Sequence, residues 1–163
     1  GNMPILIGGG VGIAPILNFH EELNFKNIDH LLIMGARMKD EHFLNHEPEE
    51  NIYMTTDDGS LGIKGNVVNA LDVISNSIDL DNSKIFSCGP PMMMEAVKSY
   101  AIDNGLQCDV ALETIMACGI GICQGCTVEK EVGRMVENSY RKRFALCCID
   151  GPIFRSEEIT SCG

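Results

Sequence analysis

Pro4-Ile5-Leu6-Ile7-Gly8-Gly9-Gly10-Val11-Gly12-Ile13-Ala14-Pro15 decides the fold class. Four residues of apolar run end in glycines, which reads as a buried parallel strand entering a glycine turn. Ile16, Phe19 and Leu23 then recur at helical spacing, with Pro15 in the first turn. Glycines let a backbone approach a ligand closely and adopt positive φ. The following helix offers free N–H groups and a partial positive charge, which suits a pyrophosphate. Gly8, Gly9, Gly10, Gly12 and Pro15 are therefore candidate nucleotide-side residues. The usual G-x-G-x-x-G fingerprint is not met, because Ile13 stands where its third glycine would fall. A tight strand–helix turn without a ligand is the competing reading.

Outward from this stretch, the alternation continues. Leu31–Met34, Asn51–Thr55, Lys84–Ser87 and Cys108–Leu112 read as further strands. Val67, Leu71 and Ile74 mark one helix, and Met93, Val97 and Tyr100 another, which Gly105 caps. A turn falls at Asp81-Asn82. Strands alternating with helices over short connections predict an α/β fold with a doubly wound parallel sheet. The pattern stops near Glu113, where the chain turns glycine- and cysteine-rich. The expected organisation is a nucleotide-binding domain over residues 1–112 and a small C-terminal domain over 113–163.

The 163 residues are 45% hydrophobic, enough for a core. The net charge of −11 argues against nucleic acid as a partner. Apolar runs such as Val11 to Leu17 fall far short of the roughly 20 residues a membrane span needs. No secretory leader pattern is present in the sequence. Five of the eight cysteines lie between positions 118 and 148. Such crowding suits a metal cluster better than bridges between distant elements, and a cytoplasmic setting follows.

Cys118-x4-Cys123-x2-Cys126 matches the first three ligands of the plant-type [2Fe–2S] spacing. Glycines 119, 121 and 125 are interleaved, as wrapping a chain around iron and sulfide requires. Cys147 and Cys148 are both available as the fourth ligand. Four thiolates can also hold a structural zinc, but zinc sites usually pair one C-x2-C with another.

Other residues are weaker signals. Cys88 precedes Gly89-Pro90-Pro91 at the end of a strand, where open sheets bind ligands, although free cysteines are usually core residues. Cys108 and Cys162 read as structural. His42 and His46 would share a face if helical, but two histidines without a third ligand read as surface residues. Arg37, after the second strand, is a mild pull toward a 2′-phosphate; a solvent charge is the preferred reading.

These residues resemble the electron-transfer subunit of class 1B dihydroorotate dehydrogenase, within the ferredoxin-reductase superfamily, over essentially the whole chain. Gly8 to Pro15 resembles the superfamily's pyridine-nucleotide loop. Thr56-Asp57-Asp58-Gly59-Ser60-Leu61-Gly62 resembles its second nucleotide-side loop, and Cys88-Gly89-Pro90 the segment facing the nicotinamide ring. Met116 through Cys126 resembles the subunit's cluster signature. Cys148-Ile149-Asp150-Gly151-Pro152-Ile153-Phe154 resembles the block around the fourth ligand, which makes Cys148 the ligand and leaves Cys147 at a usually apolar position.

The resemblance implies a relay in which electrons from dihydroorotate oxidation in a catalytic partner subunit, in a heterotetramer, pass through [2Fe–2S] and FAD to NAD⁺ in pyrimidine biosynthesis. It implies Cys118, Cys123, Cys126 and Cys148 as cluster ligands. Asp57, Asp58, Gly59, Ser60, Gly89 and Pro90 join the glycine loop on the nucleotide, and Cys88 faces the nicotinamide. The family's FAD is held largely by an N-terminal β-barrel, whereas this sequence opens on the first nucleotide-domain strand. The expectation is a fragment lacking the barrel and inactive alone in the full relay. Two rivals differ in class. One is the flavin/iron–sulfur subunit of a ferredoxin–NADP reductase or sulfide dehydrogenase complex; those tend to carry aspartate where Cys118 stands. The other is a non-catalytic, zinc-stabilised interaction module.

Overall fold

The computed structural model describes residues 3–76, 80, 82–131 and 140–163. Among the described residues, nine strands and five α-helices follow in chain order: β1 (Met3–Gly9), α1 (Ile13–Phe25), β2 (Leu31–Ala36), β3 (Ile52–Thr56), β4 (Ile63–Lys64), α2 (Val67–Ser75), β5 (Ser83–Cys88), α3 (Pro91–Asp103), β6 (Gln107–Ala111), β7 (Thr127–Glu129), α4 (Tyr140–Arg143), β8 (Phe144–Leu146), α5 (Cys147–Asp150) and β9 (Ile153–Arg155). Of the turn read at Asp81-Asn82, Asp81 lies outside the described residues and Asn82 is in a turn.

Seven strands form one sheet in the order β4-β3-β2-β1-β5-β6-β9. All neighbours run parallel except β9, which is antiparallel to β6. The helices cover both faces, as a parallel sheet requires. Leu6, Leu32, Met34 and Met54 pack with Ile13, Ile16 and Leu23 of α1. Ile5, Ile7, Leu31, Ile33 and Ile85 point the other way, onto α2 and α3. Ile5, Leu6 and Ile7 are all fully buried, which explains a continuous rather than alternating apolar run. Phe19 of α1 meets Phe86 of β5 edge-on, with ring centroids 5.2 Å apart.

From β1 the chain first builds outward through β2, β3 and β4. Helix α2 then carries it back across the sheet to β5, on the other side of β1. The winding direction therefore reverses between β1 and β5, and the crevice at their C-terminal ends is the topological switch point. Gly8 and Cys88 are partners in that register. Asn66 caps α2: its side-chain oxygen accepts from Val68 N–H and Asn69 N–H, and the Asn69 side chain accepts from Asn66 N–H. Gly105, at φ +66°, closes α3, with Leu106 N–H reaching back to the Ala101 carbonyl at 2.8 Å.

The C-terminal segment is bound to this sheet. β7 and β8 form a two-stranded antiparallel pair, and β9 extends the main sheet through Val110↔Phe154. Cys126, Val128, Ala145, Cys147, Phe154, Ile159 and Cys162 belong to the same apolar core as β1, α2 and α3. Lys98 of α3 donates to the carbonyls of Ile159, at 2.7 Å, and Thr160, at 3.0 Å, and so holds the tail.

His42 and His46 do not share a helix. His42 has extended backbone after the short 3-10 turn Lys39–Glu41. Its Nε2 donates to the Thr55 carbonyl at 2.9 Å, and His46 Nδ1 accepts the Met54 N–H at 3.0 Å. Both fasten the β2–β3 connection onto β3, which accounts for two histidines four apart without a metal.

Candidate functional site

Two features stand out, one at the C-terminal edge of the sheet and one in the segment that follows it in the chain. The first is the switch-point crevice. Gly10 adopts φ +54°, a conformation that side chains disfavour. Gly12 lies against the β5 turn so closely that a Cβ would stand 2.3 Å from the carbonyl carbon and oxygen of Cys88. This contact explains the glycine in physical terms: it joins the ends of β1 and β5.

A cavity of about 600 Å³ opens beside this contact, within the size range of cofactor sites. Of the residues expected from sequence, Gly9, Gly10, Asp57 and Pro90 line it. Gly8 is buried in β1 beneath Met34 and Ile16, Gly12 is buried in the β1–β5 contact, and Pro15 is on the exposed side of α1. Asp58 instead organises its own loop. Its Oδ1 accepts from the Ser60 N–H at 2.9 Å and the Ser60 hydroxyl at 2.6 Å, which holds its carboxyl below the usual range. Ser60 Oγ in turn accepts the Lys39 N–H, and Gly59 rests on the Lys64 side chain. The sequence reading missed Glu41, Phe43, Gly65 and Asn66 on the cavity wall. Gly65-Asn66 directly before a helical face was the available signal, since Asn at an N-cap places a helix start there.

A second cavity of about 460 Å³ lies beyond Pro90, which lines both. Gly89, Glu113, Thr114 and Cys162 line it, and the buried Thr114 hydroxyl has no hydrogen-bond partner. Cys88 is half-buried at the end of β5. Burial, with a lesser contribution from Glu113, pushes its thiol up from its ordinary value, so it is a poor nucleophile.

The second feature is the cysteine loop. Gly119 and Gly121 take φ +67° and +78°, and Gln124 +58°, which curls the chain through 118–126. The Cys123 N–H points at Cys118 Sγ, the Gly125 N–H at Cys123 Sγ and the Cys148 N–H at Cys126 Sγ, each at 3.4 Å. The N–H groups of Cys123, Ile120 and Ile122 draw the Cys118 thiol down to about 6, as donors stabilise a thiolate. The Cys148 thiol is pushed up, first by its hydrogen bond with the Cys126 thiol and then by burial. Cys147 points elsewhere: it is fully buried, its Sγ 3.8 Å from the Leu112 carbonyl.

The backbone contacts thus link Cys123 with Cys118 and Cys148 with Cys126. Among the described residues, no three His, Cys, Asp or Glu side chains gather as a site for one ion. A cysteine loop with backbone N–H groups directed at its sulfurs, and no three side chains gathered on one point among the described residues, fits an iron–sulfur cluster better than one tetrahedral zinc.

A nucleotide-sized crevice at the switch point of a doubly wound sheet, together with a four-cysteine segment in the same chain, defines the class: a ferredoxin-reductase-like redox protein. Residues 6–99 match the family described as oxidoreductase NAD-binding domain, and residues 113–160 match the iron–sulfur cluster binding domain of dihydroorotate dehydrogenase B. The chain belongs to the NAD-binding oxidoreductase family and carries in its C-terminal part the cluster-binding domain of dihydroorotate dehydrogenase B.

Among curated relatives, the dihydroorotate dehydrogenase B (NAD(+)) electron transfer subunit of Streptococcus pneumoniae is 34% identical over 157 residues, 95% of this chain and 58% of that protein. The subunit of the same name from Listeria monocytogenes is 35% identical over 160 residues, 96% of this chain and 57% of that protein. The chain thus spans a little over half the length of these relatives. Among solved structures, a chain of an NADH-dependent reduced ferredoxin–NADP oxidoreductase, described in connection with flavin-based electron bifurcation, superposes with a TM-score of 0.76 at 30% identity. The match covers 97% of this chain and 54% of that one. The resemblance read from the sequence and the ferredoxin-reductase-type fold are both borne out. No helix among the described residues is long and apolar enough to cross a membrane.

Proposed function

We propose that this chain is the nucleotide- and cluster-bearing part of a dihydroorotate dehydrogenase B electron-transfer subunit. The observation that carries the reading is a loop whose backbone N–H groups are directed at Cys118, Cys123 and Cys126 Sγ, with Cys148 supplying one of them, in the same chain as the switch-point crevice of one sheet. Cys118, Cys123, Cys126 and Cys148 hold a [2Fe–2S] cluster, with backbone N–H groups of the loop directed at the sulfurs. Gly9, Gly10, Asp57 and Pro90 line the nucleotide cavity, Gly12 keeps β1 and β5 together, and Cys88-Gly89 faces the nicotinamide end. When bound, the cluster supplies one-electron transfer, FAD joins one- to two-electron chemistry, and NAD⁺ takes up a hydride.

The labour divides at Glu113, residues 1–112 serving the nucleotide and 113–163 the cluster. Ile115, Met116, Ile120, Ile122, Ile149 and Ile153 are exposed before, on and after the cluster loop. This apolar rim supports docking of a catalytic dihydroorotate dehydrogenase subunit in a heterotetramer. Eight free cysteines suit the cytoplasm. These 163 residues alone do not complete the relay, because the flavin's main binding surface is assigned to the part of the relatives outside the match. NADH oxidation by this chain without added flavin protein would overturn that assignment.

The likeness to the ferredoxin–NADP oxidoreductase chain favours a second reading, a flavin/iron–sulfur subunit of such a complex. Cys118, read as the mark of the dihydroorotate branch, favours the first. The test is the visible absorption and metal content of anaerobically purified protein before and after dithionite. A red-brown protein with about two irons and two sulfides per chain, bleaching on reduction, is expected. A colourless protein holding zinc would leave a structural module instead.

A further inference from the structure

The nucleotide cavity carries a charge arrangement that the glycine loop does not explain. Rossmann-like sheets select between a ribose 2′-hydroxyl and a 2′-phosphate at the end of the second strand, an acidic residue favouring the first and an arginine the second. This chain has both there. Arg37 follows β2 directly, and Glu41 lies four residues on, in the 3-10 turn Lys39–Glu41; both line the cavity.

They do not act independently. Arg37 Nε donates to Glu41 Oε1 at 2.9 Å, and the same oxygen accepts from Nη2. Glu41 Oε2 accepts the Arg37 backbone N–H at 3.1 Å. One carboxylate therefore holds both the side chain and the main chain of the only cation on the described cavity wall. Asp57 adds a second carboxylate, so the wall carries one positive and two negative groups. Phe43, an exposed ring on the same wall, offers an apolar face for a purine two residues from Glu41.

We propose that Glu41 is the specificity-determining residue of the nucleotide site: by engaging Arg37 and presenting its own carboxylate, it makes the site select a free 2′-hydroxyl over a 2′-phosphate. A 2′-phosphate brought to this end finds the Nε–Nη2 edge of Arg37 already taken by Glu41, must displace it to be held bidentately, and sits beside two carboxylates. A 2′-hydroxyl can donate to a carboxylate and leaves the pair intact. The proposal explains how an arginine at this position is compatible with NAD, and it rests on the nucleotide-site reading above.

The test uses the full 163-residue chain, with 5′-AMP and 2′,5′-ADP as the adenosine halves of the two dinucleotides, by titration calorimetry at low salt. Wild type is expected to bind 5′-AMP more tightly. In Glu41→Gln the affinity ratio should move toward 2′,5′-ADP by about ten-fold or more, because a freed guanidinium gains a charge-assisted contact. In the double variant Arg37→Ala/Glu41→Gln most of that gain should vanish. A ratio unchanged in Glu41→Gln, or a gain fully kept in the double variant, overturns the role of the pair while 5′-AMP binding leaves the site reading standing. Failure of wild type to bind either nucleotide overturns both.

Discussion

Cys147 and Cys148 are adjacent in the chain and serve opposite sides of the same turn. Cys147 is fully buried and its Sγ approaches the Leu112 carbonyl at 3.8 Å, within the core shared with the sheet. Cys148 is half-buried, its N–H directed at Cys126 Sγ at 3.4 Å. The Cys147 N–H bonds to the Cys126 carbonyl at 2.9 Å, which fixes the orientation of both.

The two positions should therefore respond differently to substitution. Cys148→Ser is expected to lose iron and visible absorption while the nucleotide half stays folded. Cys147→Ala should keep iron at the wild-type ratio and lose about 1–2 kcal/mol of stability as a small core truncation. Iron analysis with denaturant melts on the two variants checks this. Loss of iron in Cys147→Ala with retention in Cys148→Ser would reverse the ligand assignment.

Gly12→Ala tests the contact between β1 and β5. The added Cβ would fall 2.3 Å from the Cys88 carbonyl carbon and oxygen and 2.4 Å from the Gly89 nitrogen, all backbone atoms. Neither strand end can yield alone, since Gly8 and Cys88 are paired in the sheet. A loss of about 1–3 kcal/mol by thermal denaturation is expected from overpacking, with weaker 5′-AMP binding. Gly119→Ala is a control of another kind: that position has φ +67° but nothing within 4 Å of its Cβ, so only backbone strain should register. An unchanged melting temperature for Gly12→Ala would sink the argument.

Much of this architecture is legible in the sequence, for reasons visible in particular residues. Ile5 to Ile7 are buried from both faces, and a glycine turn follows at the switch point, so composition and punctuation agree. Of the three helical faces, Ile16, Leu23, Val67, Leu71, Ile74 and Val97 are buried, and Phe19, Met93 and Tyr100 are half-buried against the same cores. The short strands are less legible: β4 has two residues and β9 three, too few for a periodicity, and β9 exists because β6 offers an edge. Spacing could not separate Cys147 from Cys148, because which of the two thiols is buried is set by how α5 sits on the core. The Arg37–Glu41 pair was equally hidden. An i,i+4 pair suggests a helix surface, whereas here the chain bends through a 3-10 turn and brings the carboxylate back to the main chain. His42 and His46 invited a helical reading for the same reason and are anchors on β3.

His20 and His30 form a buried relay whose direction is set at one end. The Ile28 carbonyl can only accept, so His30 Nδ1 carries the proton of that 2.7 Å bond. A neutral His30 then accepts at Nε2 from His20 Nδ1–H at 2.7 Å, and His20 Nε2 accepts from the Asn24 amide at 3.0 Å. An added proton sets N–H against N–H unless Asn24 turns over. Burial, and then His30, hold the His20 pKa below its ordinary 6.5, with Glu21 pulling the other way. A depressed histidine contributes stability above about pH 6.5 that is lost as pH falls below it. Urea midpoints should drop between pH 7 and 5 in wild type and drop less in His20→Gln. Equal drops would remove His20 as the cause.

Cys108 predicts a loss of stability at the alkaline end. It sits on β6 beneath α3, 4% exposed, and burial pushes its thiol up to about 12. Ser156 opposes the shift by hydrogen bonding, and Cys162 and Asp109 add to it. The folded state thus keeps a proton that the unfolded chain releases near pH 9. The stability from this group is full below about pH 9 and declines as pH rises toward 12, by at most about 1.4 kcal/mol per pH unit. Cys108→Ala should be less stable than wild type at pH 7 and show a shallower decline from pH 9 to 11. The other cysteines are present in both proteins, so the difference in slope reports Cys108 together with its coupling to Cys162. In the native state at pH 8, iodoacetamide should spare Cys108 and label it only after unfolding. Rapid native labelling, or parallel alkaline slopes for the two proteins, would show that this thiol is not held in the core as a neutral group.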